Sequence, residues 1–171
     1  MNSLRLVNIN LHAPYRVMED PEHPHKYYFV SDGGTKFEID FTPNDSVLPS
    51  GSYEFSITNK SHDASPLDPK LRLTLFAIIE EFFDRNNEVM LYLAETGDGK
   101  QYFRNRLFVR WFNMYEQRDK YLIRTAEGMM DGQMNFLAII SRLDNPHLSN
   151  ALEEFDETIS FLFDEIDVSH L

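Results

Sequence analysis

Residues 27 to 41 read Tyr27-Tyr28-Phe29-Val30-Ser31-Asp32-Gly33-Gly34-Thr35-Lys36-Phe37-Glu38-Ile39-Asp40-Phe41. Two aromatic-rich runs flank a Ser-Asp-Gly-Gly-Thr core, whose glycines supply the positive φ angles that a tight hairpin needs. In the second run Phe37, Ile39 and Phe41 share one face while Glu38 and Asp40 take the other, so this sheet has one buried side and one wet side. Upstream, the loose alternation of Leu4, Leu6, Val7, Ile9 and Leu11 predicts another strand, ended by Pro14. The stretch DPEHPH, from Asp20 to His25, is broken twice by Pro and predicts a loop. Downstream, the turn-rich TPNDSVLPSG leads into a strand at Tyr53, Phe55 and Ile57.

The period then changes. Asp68 followed by Pro69 marks a helix start, because Asp caps free N–H groups and Pro fits the first helical position. Leu71, Leu75, Ile78, Ile79 and Phe82 recur at helical spacing up to the break at Asn86-Asn87. Val89 to Ala94 is a short, nearly continuous apolar run and predicts a central strand. A helix follows from about Lys100 to Gln117. Tyr121 to Ile123 and Phe136 to Ile140 then predict two strands, with Asp131-Gly132 as a turn, although Met129, Met130 and Met134 fit an irregular or helical stretch equally well. From His147 onward, Leu152, Phe155, Ile159, Leu162, Phe163 and Ile166 form one stripe opposed by acidic residues, predicting an amphipathic helix over about 148–166.

The chain has 171 residues, 42% hydrophobic, 13% aromatic and 26% charged, which fits one globular domain at about 100–200 residues per domain. Its 14 Phe and 8 Tyr exclude a disordered chain. Zero Cys excludes disulfides, thiolate zinc sites, iron–sulfur clusters and Cys nucleophiles. No stretch approaches the ~18 consecutive apolar residues of a membrane span, and residues 1 to 17 lack a leader pattern, so a cytoplasmic protein is expected.

Sixteen Lys+Arg against 28 Asp+Glu give a net charge of −12, which argues against generic attraction to nucleic acid or to an anionic membrane. The balance is uneven: −8 over residues 1–99, +5 over 100–124 and −9 over 125–171. The basic island begins in AETGDGKQYFRNRLFVRWF, residues 94–112, a strand, a Gly-X-Gly turn and a helix opening with Lys100. This layout suits an anion received by backbone N–H groups, with Gly97, Asp98, Gly99, Lys100 and Arg104 as the candidate site. It is not a nucleotide-binding P-loop, because Ala94 stands where the first Gly belongs and Gln101 where the Mg²⁺-binding hydroxyl belongs. At 100° per residue Lys100 and Arg104 share a sector with Phe103, Leu107, Trp111 and Met114, so the basic groups face the core side. They need a compensating anion, either a ligand or an internal carboxylate such as Glu80, Glu81, Glu95 or Asp98. Arg106 and Arg110 fall on the flank of the helix. Interleaved Arg and aromatic residues also suit stacked bases, but the core spacing of the rings and the acidic flanks argue against that reading.

Glu22-His23-Pro24-His25 places three possible metal ligands together, without a helical His-x₃-His spacing to complete a set. No Ser elbow and no dinucleotide fingerprint occurs, and carboxylate pairs are too common in so acidic a chain to nominate a glycosidase. No catalytic residue, metal or cofactor is therefore expected, and the balance leans against an enzyme. The acidic C-terminal helix suggests another role: Glu153, Glu154 and Glu157 could dock on a basic protein.

Tyr28-Phe29 through Phe41, followed by LYLAETGDGKQYFRNRLFVRWF, resembles a family of small bacterial proteins of unknown function, found mainly in Bacteroidetes, over residues of about 27 to 166. The resemblance implies a bacterial cytosolic protein, draws attention to Asp98, Gly99, Arg104, Asn105 and Arg106, and assigns no activity. The expectation is a single α+β domain spanning residues 1–171: an antiparallel or mixed sheet of five to six strands with helices at about 69–85, 100–117 and 148–166, packed mainly on one face. The expected function is a non-enzymatic interaction module with an acidic surface. The alternative is a protein that binds a small anion, a nucleotide or phosphometabolite, at residues 97–104.

Overall fold

The structure is a computed structural model that describes residues 1–60, 68–93, 101–130, 132–163 and 166–170, with backbone alone for 101–105 and 166–170. Among these are the helices α1 (Leu6–His12), α2 (Pro69–Arg85), α3 (Gln101–Asn113) and α4 (Leu148–Leu162). The strands are β1 (Met18–Glu19), β2 (Lys26–Val30), β3 (Lys36–Asn44), β4 (Ser52–Asn59), β5 (Val89–Leu93), β6 (Tyr121–Met130), β7 (Gln133–Arg142) and β8 (Ile166–His170). The fold is α+β, with eight strands and four α-helices among the described residues where five to six and three were expected. The chain divides into two compact units, Met1–Thr42 with Phe55–Asn87, and Pro43–Glu54 with Glu88–Leu171.

The first unit is built on the expected hairpin. β2 and β3 pair antiparallel from Lys26↔Asp40 to Val30↔Lys36. Their turn closes with the Ser31 N–H donating to the Thr35 carbonyl at 2.9 Å, and Gly34 adopts φ 80°, a conformation that costs glycine little. Tyr27, Phe29, Phe37, Ile39 and Phe41 are buried on one face. There Phe41 stacks on Phe82 of α2 with ring centroids 4.9 Å apart. α2 has the bounds its sequence predicts: the Asp68 side chain accepts from the Lys70 N–H, Pro69 sits in the first turn, and Asn86 leaves helical geometry. The Tyr15 hydroxyl donates to the Asp68 carboxylate.

The segment from Leu4 to Leu11, expected as a strand, is instead α1. Arg5 offers no side-chain cap of its own. Glu81 of α2, only 4% exposed, supplies one from a neighbouring helix: Oε1 accepts from the Arg5 N–H at 2.9 Å and Oε2 from Asn8 Nδ2 at 3.0 Å. β1 pairs with β2 through Met18↔Tyr28 and Glu19↔Tyr27. Just before it, Val17 exchanges two hydrogen bonds with the Asn10 side chain, N–H to Oδ1 at 2.7 Å and carbonyl from Nδ2 at 3.0 Å.

In the second unit the strand order is β5-β7-β6-β8, antiparallel throughout. Directly opposed residues share a face, so Leu91, Ile139 and Arg124 lie on one side, with Ala126 and Leu137. That side packs with Ala151, Phe155 and Ile159 of α4, and with Val47 and Leu48 of the loop before β4. Tyr92, Phe136, Ala138 and Tyr121 lie on the other side, where Phe108 stacks on Tyr92 at 4.2 Å and Phe112 meets Tyr121 edge-on at 6.4 Å. Thus α3 and α4 cover opposite faces of these strands, which corrects the expectation of helices mainly on one face. A strand buried on both sides needs apolar residues at successive positions, and Phe136 to Ile140 are all buried.

Two further boundaries differ from expectation. α3 ends at Asn113, short of 117. α4 ends at Leu162, because Phe163 turns extended (φ −104°, ψ 131°) and the chain returns as β8 alongside β6. The apolar spacing of Leu162, Phe163 and Ile166 suits a further helical turn, but pairing with β6 satisfies the backbone of Ile166–His170 instead.

Candidate functional site

Three carboxylates of α4 were expected to present an acidic face, and the structure separates them. Glu154 is engaged at the surface: its Oε2 accepts from the Ser50 N–H at 3.0 Å and its Oε1 from Asn150 Nδ2 at 2.8 Å. These bonds outweigh partial burial and hold its carboxyl below the usual range, the Ser50 N–H contributing most. Asp156 is likewise engaged, with Oδ2 at 2.7 Å from Arg124. Glu153 and Glu157 remain exposed. Sequence reasoning missed their companion: Phe161, 88% exposed, follows Glu157 by four residues as Glu157 follows Glu153. At 3.6 residues per turn the three side chains form one outward stripe, opposite the buried Ala151, Phe155 and Ile159. The missed signal is simple: Phe161 lies on the face opposite the apolar stripe that explains every other large apolar residue of the helix.

The anion site expected at Gly97, Asp98, Gly99 and Lys100 lies outside the described residues, as does the Arg104 side chain. The sector expected to face the core with them is half-buried at Leu107 and Trp111 and exposed at Met114. Phe108 and Phe112 form the buried ridge instead, one position round the helix, because they meet the rings of Tyr92 and Tyr121. Glu81, a proposed compensator for the basic helix, is engaged with α1. Arg106 and Arg110 are exposed.

A second cluster was not foreseen. Glu38, expected on a wet face, is only 9% exposed because lysines cover it. Lys26 Nζ lies 3.3 Å and Lys60 Nζ 3.0 Å from Oε2, while Lys36 Nζ lies 3.1 Å from Oε1. Burial pushes the carboxyl up, but the hydrogen bonds from Lys60, Lys36 and Lys26 prevail and hold it at about 2. Asp40, beside it on β3, is 3.9 Å from Lys26, and its own carboxyl is raised because burial outweighs that attraction. The sequence does carry the signal Lys36-x-Glu38-x-Asp40 on alternate positions. Only the hairpin register, which sets Lys26 opposite Asp40, and the return of β4 to Lys60 complete it.

The Glu22-His23-Pro24-His25 stretch lies in the expected loop, where His23 Nδ1 is 3.2 Å from Asp20. Among the described residues no group of three His, Asp or Glu is placed to hold a metal ion. No helix among them is long and apolar enough to cross a membrane.

No curated protein matches this chain, and no solved structure does. The model of DUF6169, a family of unknown function, matches residues 67–157. That span is shorter than the one the resemblance implies, and takes in the chain from α2 to Glu157 on α4. With more than half its length matched, the chain belongs to the DUF6169 family, a family of unknown function.

Proposed function

We propose that this protein is a non-enzymatic interaction module of the bacterial cytoplasm, and that the outer stripe of α4 meets a basic protein partner. The observation that carries this reading is Phe161, 88% exposed in line with the exposed carboxylates of Glu153 and Glu157. An aromatic ring held in water on a rigid helix gains by burial against a partner, and aromatic residues dominate the energy of many interfaces. The flanking carboxylates select the partner's sign, and the surplus of ten acidic to one basic residue over 125–171 steers a cationic surface toward them. Glu154 and Asp156 are excluded from the contact, because Ser50, Asn150 and Arg124 already engage them.

The test is capture of basic proteins by the immobilised chain, run as a salt series and repeated with three variants. Phe161→Ser should lose at least tenfold in affinity, and Glu153→Lys/Glu157→Lys should lose most of the salt-sensitive part. Glu154→Gln should leave capture unchanged. Equal capture by the wild type and both surface variants would remove α4 from the interface.

A further inference from the structure

The lysine cluster and a groove that shares Tyr28 with it both belong to the first unit. Lys26, Lys36 and Lys60 converge on the single carboxylate of Glu38. Lys26 and Lys60 share one oxygen, so their nitrogens stand within about 6 Å of each other, the sum of their distances to it. Each ammonium carries three donors, far more than Glu38 can accept. The three lysine side chains are 25%, 42% and 49% exposed, while the carboxylate beneath them is nearly covered. The surplus donors therefore face water. Against Glu38 and Asp40 the three lysines leave one positive charge, with Asp20 adding a weaker attraction on Lys26, inside a chain of net −12. At physiological ionic strength the Debye length is about 8 Å, so this local charge survives the negative total.

The cluster also has an apolar neighbour. Tyr28 stands opposite Glu38 in the hairpin register, and Lys36 Nζ lies 4.5 Å from the centroid of its ring. The same Tyr28 lines an open groove of about 480 Å³, together with Leu6 and Val7 of α1, Met18 of β1 and the exposed Arg16. One residue thus joins a cationic patch to a mainly apolar groove. We propose that this face binds an organic phosphate monoester, the phosphate on Lys26, Lys36 and Lys60 and the apolar body in the groove over Tyr28 and Met18. Glu38 is the internal counter-ion. It holds the three ammoniums together before the ligand arrives, offsetting their mutual repulsion, and shares them once a dianion binds.

Calorimetry on the full chain tests this with phenyl phosphate, AMP, inorganic phosphate and phenol as probes. Saturable binding of phenyl phosphate or AMP, at least tenfold tighter than inorganic phosphate and with none for phenol, is the expected result. Lys36→Met and Lys60→Met, both at half-exposed positions, should each weaken the phosphate probes about tenfold, the loss of one charge-assisted hydrogen bond, with melting temperature retained. Val7→Trp fills the groove from an exposed position and should remove the advantage of the organic probes over inorganic phosphate. No saturable binding of any phosphate probe, or binding unchanged in both lysine variants, would leave the lysines as partners of Glu38 alone and overturn the proposal. An organic probe equally tight in Val7→Trp would overturn the part played by the groove.

Discussion

A Cβ atom built on Gly128 would stand 2.4 Å from Phe163 Cγ and 2.5 Å from Phe163 Cβ. Phe163 closes α4 and is 7% exposed, so the near end of its side chain has nowhere to retreat. Gly128→Ala should therefore destabilise by about 1–3 kcal/mol through overpacking. Urea unfolding checks this, and the same substitution made in a Phe163→Ala background should cost far less.

The carboxyl of Glu38, held at about 2, contributes stability that is complete above its ordinary value of 4.5. That contribution is lost as pH falls from 4.5 through 2, because only the unfolded chain gains a proton in that window. With half-exposed lysines screened by solvent, the loss should be on the order of 2 kcal/mol. Glu38→Gln should flatten this part of the curve of stability against pH. An unaltered acid limb in that variant would show that other carboxylates govern it.

Glu81 ties α1 to α2 through two acceptors, one for the Arg5 N–H and one for Asn8 Nδ2. Glu81→Gln keeps the size and loses one acceptor, at a cost of about 1 kcal/mol for a part-buried donor left unpaired. The effect should be local. Hydrogen exchange should speed up at amides of Leu6–His12 and change little in the interior of α2.

Arg124 and Asp156 meet at 2.7 Å, yet Arg124 Nε and Asp156 Oδ1 are buried and find no hydrogen-bond partner among the described residues. Such a pair is expensive to break and cheap to replace. Asp156→Ala should cost about 1–3 kcal/mol by stranding a guanidinium beneath α4. Arg124→Met/Asp156→Leu should come within about 1 kcal/mol of wild type or exceed it. Chemical denaturation of both variants decides between this and a pair that stabilises outright.

What could be read in advance followed from strong local chemistry. Asp68-Pro69 and the break at Asn86 bound α2 by themselves, and Asp32-Gly33-Gly34 closes β2 onto β3. α1 was hidden because seven residues are too short to tell a period of 3.6 from one of 2, and its cap comes from Glu81, 76 residues away. The break after Leu162 was hidden because the apolar spacing continues to Ile166, while the competing partner, β6, lies some 40 residues upstream. Separation in sequence also hid the lysine cluster, since Lys26 and Lys60 reach Glu38 only across the hairpin register and the return of β4. Glu153 and Glu157 were legible as an exposed face, whereas the engagement of Glu154 depends on Ser50, 104 residues before it.

The bonds that Asn10 makes to Val17 have a consequence for how molecules of this protein behave at high concentration. β1 is a terminal strand, and a terminal strand ordinarily offers its outer backbone groups to any passing chain. At Val17, immediately before β1, both groups are already occupied by an amide that imitates a neighbouring backbone. The amide has the hydrogen-bonding pattern of a next strand without the length to continue one, so at Val17 an arriving chain finds both backbone groups already taken.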